Sequence, residues 1–221
     1  MTVKRKSGRP AKVLGEKGTK EKIFDAAIDL FAERGYDRVS IRDIAAAVGI
    51  KESSIYKHYT GKDAILEKIF EYILDMWKSV QVGKWSESRE AEEQIVSMGL
   101  DGFMAMASGV FTSWIDDHRM EKIMRIVFIE LYHNEQLKKF QLAFMGAGGT
   151  FFESSFAIMM KHKLIKPADP KVLTMEYLSF YMYALMDYFI LRYDSMSGSF
   201  LQEYRTRIDE HTAFITDAIK P

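Results

Sequence analysis

The sequence predicts an all-α fold in two parts, a small N-terminal three-helix domain and a larger helical domain. Apolar residues recur at helical spacing along most of the 221 residues, and no run of alternating β-branched residues stands out. The four prolines lie in a tail, in one loop and at the C-terminus, where they do not interrupt a helix. We expect a disordered basic arm at 1–18, the small domain at 19–62 and the larger one at 63–221.

The first helix is predicted from Thr19, a candidate N-cap, to Gly35. One apolar stripe runs along it through Ile23, Ala26, Ala27, Leu30 and Phe31. This stripe allows the helix to pack over the two helices that follow.

Two short helices joined by a tight turn come next. Ser40 can cap the first of them, with Asp43 in the capping-box position. Gly49 follows the last apolar residue, where helices end in the left-handed conformation that glycine adopts without cost. Ile55 and Tyr59 continue the buried side of the second helix. This is the helix-turn-helix arrangement, whose second helix reads DNA.

The outward residues of this segment are polar: Lys51, Ser53, Ser54, Tyr56, Lys57 and His58. Such a set fits a DNA groove and its phosphates, but it also fits a plain solvated face. Charge favours DNA. The chain has 31 basic and 31 acidic residues, yet residues 1–62 contain 14 Lys or Arg against 8 Asp or Glu. A basic part joined to an acidic part is typical of a nucleic-acid-binding module attached to another unit.

The N-terminal arm is basic and carries no acid in its first dozen residues. Gly8-Arg9-Pro10 resembles the core of an AT-hook, in which an extended Arg enters a narrow minor groove. Ser7 stands where the full motif usually has another Arg. We expect Arg5, Lys6 and Arg9 to contact DNA; a merely solvated basic tail is the alternative. No apolar run follows, so the sequence predicts no signal peptide.

From Ile23 to Leu66 the chain closely resembles the N-terminal domain of TetR-family transcriptional regulators. The residues that carry the resemblance are Ile23–Gly35, the Val39–Ala45 segment, Val48-Gly49-Ile50 and Ser54-Ile55-Tyr56-Lys57-His58-Tyr59 with Lys62. Tyr59 stands where the family usually has Phe, and its ring still suits a core position.

The resemblance implies a role for each matching position. Ser40, Ser54, Tyr56, His58 and Lys62 would contact phosphates, with Ser54 and Tyr56 also able to reach bases. Arg42 would read a base, since an Arg bidentate to guanine is the commonest specific contact. Lys51, Ser53 and Lys57 would set sequence preference.

The larger domain is predicted to form helices at about 62–82, 89–108, 110–117, 119–133, 135–163, 169–193 and 199–219. Helix 4, which begins at Lys62, touches both domains and is the expected transmitter between them. Gly146, Gly148 and Gly149 are expected to kink their helix or to admit another backbone.

This domain is rich in aromatic residues and methionine. Such residues more often form a core than a pocket, but the resemblance implies an apolar ligand cavity. The candidate lining residues are Met104, Trp114, Met124, Phe128, Tyr132, Phe152, Tyr177 and Tyr181. The candidate polar groups that would orient a ligand are His118, Glu130, His133 and Asp187.

Residues 177–191 are nearly apolar but include Asp187, and they are fewer than the roughly 20 that a membrane span needs. They fall where the family's dimerisation helix lies. Helices near 170–193 and 199–219 are therefore expected to form a four-helix bundle between two copies, with no membrane partner.

Motifs for catalysis and cofactor binding are absent from the sequence. There is no cysteine, no HxxxH pair, no phosphate-binding glycine loop and no nucleophile elbow. We expect no enzyme activity, no metal and no cofactor.

Taken together, the residues and the resemblance predict a cytoplasmic, nucleoid-associated homodimer that binds an inverted-repeat operator. It would most simply be a repressor released by a lipophilic or aromatic ligand. Two alternatives stay open: a ligand-independent DNA organiser of the same fold, or a helical lipid or small-molecule binder with only non-specific anion binding.

Overall fold

A computed structural model describes residues 17–79, 88–193 and 198–221. Every regular element in these ranges is helical. The helices are α1 (Thr19–Arg34), α2 (Ile41–Val48), α3 (Glu52–Ile55), α4 (Lys62–Ser79), α5 (Arg89–Asp116), α6 (His118–Glu130), α7 (Glu135–Lys161), α8 (Pro170–Met186), which continues into a π-helical turn (Asp187–Leu191), and α9 (Gly198–Ile219). We call α1–α3 the head and α5–α9 the body; α4 connects them.

The head is built around the apolar face of α1. Ile23, Ala27 and Phe31 are fully buried, and Ile44 of α2 and Ile55 of α3 pack into the same core. The predicted stripe of α1 is therefore confirmed, although the helix begins one residue earlier than proposed. Gly18 is its N-cap, and Thr19 is already its first helical residue.

The body core is a network of aromatic rings. Phe103 of α5 lies 6.0 to 6.1 Å, centre to centre, from the rings of Phe151, Phe152 and Phe156 of α7. Phe152 in turn lies 5.0 Å from Tyr177 of α8. Stacked and edge-on rings at these distances stabilise one another beyond the area that they bury.

Two predictions about breaks in the body helices are wrong. The expected end near Ser108-Gly109 is absent, since α5 continues to Asp116; its non-helical residue is Gly99, with φ of 65°. A glycine inside a helix costs only about 1 kcal/mol, so it does not by itself end the helix.

The glycines of α7 do not interrupt it either. Apart from the backbone of α7 itself and the adjoining residues, no atom of the described chain lies within 4 Å of a Cβ built at Gly146, Gly148 or Gly149. These positions face open space, not the backbone of a neighbouring helix.

The predicted helix at 169–193 is confirmed as α8 with its π-helical turn. Asp169 caps it by accepting hydrogen bonds from the backbone N–H groups of Lys171 and Val172. At the other end the N–H of Arg192 donates to the Asp187 carbonyl over 3.0 Å, a five-residue spacing. Such π-helical turns within α-helices often mark functional positions.

Among the described helices, α5 and α7 are long and apolar enough to cross a membrane by length and composition alone: each contains an 18-residue stretch, with a mean hydropathy of 1.4 in α5 and 1.2 in α7. Both also supply the aromatic rings of the body core. Core helices of helical proteins have the same composition, so this feature alone assigns no location.

Candidate nucleic-acid interface

The start and the end of α2 are held by local contacts. The Ser40 hydroxyl accepts from the Asp43 N–H, and the Asp43 carboxylate accepts from the Ser40 N–H over 2.8 Å, so the predicted capping box is confirmed. Hydrogen bonds from the Ser40 side chain and backbone lower the pKa of Asp43. Gly49 ends the helix in the left-handed conformation, with φ of 73°. These contacts fix where the chain turns into α3.

The second element of the motif is short. Only Glu52–Ile55 is α-helical, and the chain then closes a turn in which the N–H groups of His58 and Tyr59 both donate to the Ile55 carbonyl. Ile55 and Tyr59 are buried as predicted. The Tyr59 hydroxyl donates to the Lys20 carbonyl of α1 over 3.4 Å, and burial raises the pKa of this phenol. The ring thus anchors the turn to α1.

The outward face of this element is open to solvent. Lys51, Ser53, Tyr56, Lys57 and His58 are exposed, and Ser54 is half-buried. Tyr56 is 57% exposed although it is a large aromatic residue. An exposed aromatic ring among cations and hydroxyls matches the residue types that contact phosphates and bases.

An ion pair that the sequence did not predict crosses the turn between α2 and α3. The Arg42 Nε donates to the Glu52 Oε1 over 3.2 Å. Both side chains are well exposed, so this pair contributes little to stability. It places a carboxylate beside the residue expected to read a base. The apolar periodicity does not single out Glu52. The one sequence feature that could have indicated this ion pair is that Glu52 is an acid within a basic segment.

Lys62 is not a free cation in this structure. Its ammonium group donates to the Tyr36 carbonyl over 2.8 Å and lies 3.9 Å from the centre of the Tyr36 ring. The Tyr36 hydroxyl donates to the Asp63 carboxylate, and burial with this bond raises the pKa of Tyr36. Lys62 therefore joins the start of α4 to the end of α1. The predicted arm residues Arg5, Lys6 and Arg9 lie outside the described residues.

The expected ligand-pocket residues form two groups. Six of them are buried: Met104, Trp114, Met124, Phe152, Tyr177 and Tyr181. Phe128 is half-buried, and its ring lies 5.4 Å from that of Phe189. Tyr132 does not fit an interior role: it is 79% exposed, because α6 ends at Glu130 and the following turn carries it outward.

Some polar groups of the body are already engaged. The Tyr177 and Tyr181 hydroxyls share a hydrogen bond of 3.1 Å, and Tyr181 shares another of 3.1 Å with Thr212. Asp187 is paired with Arg192 and Arg207. In the part of the chain that the structure describes, no three His, Asp or Glu side chains cluster as metal ligands would.

The fold and this surface define a helix-turn-helix protein with a helical body. Residues 23–69 match the family model for bacterial regulatory proteins of the tetR family. The N-terminal domain of this chain is therefore similar to that of bacterial regulatory proteins of the tetR family.

Two curated relatives share this region. The HTH-type transcriptional repressor KstR2 of Rhodococcus jostii is 35% identical over 100 residues, which cover 45% of this chain and 44% of KstR2. The negative transcriptional regulator IcaR of the Staphylococcus epidermidis biofilm operon is 45% identical over 60 residues, 25% of this chain and 32% of IcaR. The chain thus spans less than half the length of the curated relatives it matches.

Solved structures share the whole fold. SmeT in complex with triclosan, a repressor from Stenotrophomonas maltophilia, superposes with a TM-score of 0.61 at 19% identity over 93% of both chains. The MbdR regulator of Azoarcus sp. CIB has a TM-score of 0.61 at 16% identity, over 90% of this chain and 97% of its own. At such identities the likeness shows the fold, and the shared architecture extends through the body.

We predict that Lys62→Met lowers the free energy of unfolding by about 1 kcal/mol, because it removes a charge-assisted hydrogen bond from a half-buried group. The matched control is Lys57→Met, which removes an exposed lysine and should change stability by less than about 0.5 kcal/mol. Urea unfolding followed by circular dichroism measures both. Equal stabilities of the two variants would show that the Tyr36 contact has no structural role.

Proposed function

We propose that the protein is a sequence-specific DNA-binding transcriptional regulator that acts as a repressor. The observation that carries the proposal is the exposed face of Lys51–His58, held at one end by the capped α2 and at the other by buried Ile55 and Tyr59. Phosphate contacts from such a face fix the register on DNA, and contacts to base edges supply specificity. The curated relatives are themselves a repressor and a negative regulator.

Arg42 and Tyr56 have separate roles in this proposal. Arg42 reads a base once DNA competes with Glu52 for its guanidinium, and Tyr56 contacts a phosphate through its hydroxyl. Lys62 contributes less directly, by holding the α1–α4 junction under the recognition turn. A cytoplasmic, nucleoid-associated location is part of the same proposal.

Selection of binding sites from random duplexes at roughly 150 mM salt, where non-specific binding is weak, tests this function. We expect one inverted repeat to be enriched. Arg42→Ala should then relax the preference at one base pair of each half-site, by about 1–3 kcal/mol. Tyr56→Phe should lower the affinity for all DNA sequences by a similar factor. Tyr132→Phe, which changes an exposed tyrosine of the body, should leave every affinity unchanged. Failure to enrich any inverted repeat would refute the proposal.

We propose that the protein acts as a homodimer formed through α8 and α9. Five apolar residues on one face of α8 and its π-helical turn are 42–70% exposed: Val172, Met175, Tyr183, Met186 and Ile190. Phe214 of α9 is 71% exposed. Their spacing of three to four residues, with Ser179 filling the gap, makes one continuous stripe. Two such stripes in contact would bury both and form a four-helix bundle.

Met175→Glu should shift the protein to monomers, because the dimer would bury an unpaired carboxylate from each copy. We expect the dimer dissociation constant to rise at least about 100-fold, measured by sedimentation equilibrium. Met145→Glu is the control, since Met145 is an exposed methionine on α7 outside the stripe. Dissociation by Met145→Glu and not by Met175→Glu would place the interface elsewhere.

We propose further that a lipophilic or aromatic ligand releases the repressor by favouring a conformation with altered spacing of the heads. The repressor SmeT, which shares this fold, has been solved in complex with triclosan. The described body core supplies apolar walls, but its rings already contact one another. The small cavity between α4 and α7, of about 70 Å³ and lined by Phe70, Ile73 and Phe140, is below the size of drug-like pockets. A drug-sized ligand would fit at this cavity only if the side chains that line it moved apart.

Native mass spectrometry of the purified protein tests the ligand proposal. We expect a co-purifying lipophilic compound whose addition lowers affinity for the enriched repeat, whereas Phe152→Trp, which fills the core further, should reduce its binding. A protein that carries no compound, and whose DNA affinity no compound of a lipophilic and aromatic library changes, would favour the ligand-independent organiser.

A further inference from the structure

One face of α6 lies along α1 and joins the body to the head. Arg119 pairs with Asp25 over 2.5 Å, and Lys122 pairs with Asp29 over 2.7 Å. The next cation along this face of α6 is Arg125, which donates from Nε to the Ala32 carbonyl over 2.7 Å. The contacts advance in the same direction on both helices, so α1 and α6 run parallel along this seam.

Arg125 differs from the other two cations of the seam. It is buried, with 7% of its surface exposed, and its Nη1 donates to the Phe189 carbonyl over 2.6 Å. Its guanidinium also lies 3.8 Å from the centre of the Tyr193 ring. A single side chain thus binds α1 in the head and the π-helical turn at the end of α8.

Both carbonyls lie in the last turn of their helices. α1 ends at Arg34, two residues after Ala32, and the π-helical turn ends at Leu191, two residues after Phe189. Carbonyls at these positions lack partners within their own helix, and the partial negative charge of a helix C-terminus attracts a cation. The planar fork of Arg can donate in two directions at once, which the ammonium group of Lys at the end of a flexible stem does less well.

The π-helical turn also belongs to the proposed dimer surface. Phe189 is buried against the body, while its neighbour Ile190 is 42% exposed and ends the apolar stripe. The carbonyl that Arg125 binds is therefore one residue from the dimer contact. At the C-terminal end of α6 a further contact reaches the head, since Glu130 accepts from the Tyr36 N–H over 3.3 Å.

From this geometry we infer that Arg125 is a positioning residue for operator binding: its guanidinium joins the dimer helix to α1 and so sets the separation of the two recognition turns. The inference rests on the proposed function of the head and of the stripe. Helix 4 was the transmitter expected from the sequence. The structure adds a second connection through α6, and it ends at the dimer helix itself.

A fixed separation matters because the two heads must reach half-sites about one helical turn apart, roughly 34 Å. Loss of the Arg125 bond to Phe189 would leave the fold of each head intact but would loosen its position relative to the dimer helices. Dimerisation and single half-site binding would persist, and the preference for one half-site spacing would weaken. A residue with a purely structural role would lower all affinities together.

The test uses Arg125→Lys, Arg125→Gln and the control Lys122→Met, which removes a cation from the same seam without touching α8. Affinities are measured for the enriched inverted repeat and for versions with one or two base pairs added or removed between half-sites. The measured quantity is the ratio of the affinity for the best half-site spacing to the affinity for spacings one or two base pairs away. For both Arg125 variants we expect this ratio to fall by about fivefold or more, the lower end of typical couplings. Single half-site affinity and the dimer constant should stay unchanged. An unchanged spacing profile would overturn the inference.

A second measurement does not need the DNA site. The sequence contains no cysteine, so Thr60→Cys at the exposed end of the recognition turn gives one labelling position in each copy. The distance between the two spin labels is measured by double electron–electron resonance. Its distribution should be narrow in the parent and in Lys122→Met, and broader in Arg125→Lys. Equal widths in all three would overturn the inference even if no operator were found. Absence of an enriched repeat together with a broadened distribution would refute only the proposed function.

Discussion

The structure depends on the burial of α1 from two sides. Ile23, Ala27 and Phe31 fill the core of the head, while the helix also lies against α6 through Asp25, Asp29 and the Ala32 carbonyl. Apolar burial on one side is worth about 25 cal/mol per Å² and holds α2 and α3 to α1. The polar seam on the other side holds α1 to the body. Any movement of α6 therefore moves the whole head.

This arrangement separates the parts that recognise DNA from the parts that position them. The recognition turn is short and open to solvent. Its shape comes from local contacts: the capping box of α2, the left-handed Gly49, and the buried side chains of Ile55 and Tyr59. Its position comes from long-range contacts of Lys62, Glu130 and Arg125. A regulator of the proposed kind needs both, since base contacts specify a half-site and the spacing of heads selects the repeat.

Sequence patterns predicted the features whose causes are local. The capping box at Ser40, the end of α2 at Gly49 and the helix after Asp169 each follow from a few neighbouring residues, and the structure has all of them. The partners of Lys62, Arg42 and Arg125 were not predicted, because they join residues up to 93 positions apart, and periodicity contains no information about such pairs. Tyr132 was misplaced for a related reason: its aromatic character suggested burial, and only the end of α6 determines that it points outward.

Ethylation interference on the enriched DNA tests most directly whether two heads held at a fixed separation read one face of the duplex. We predict two symmetric clusters of phosphates whose modification blocks binding, about one helical turn apart and on the same face. A single cluster, or weak interference spread evenly along the DNA, would contradict a fixed separation of the heads.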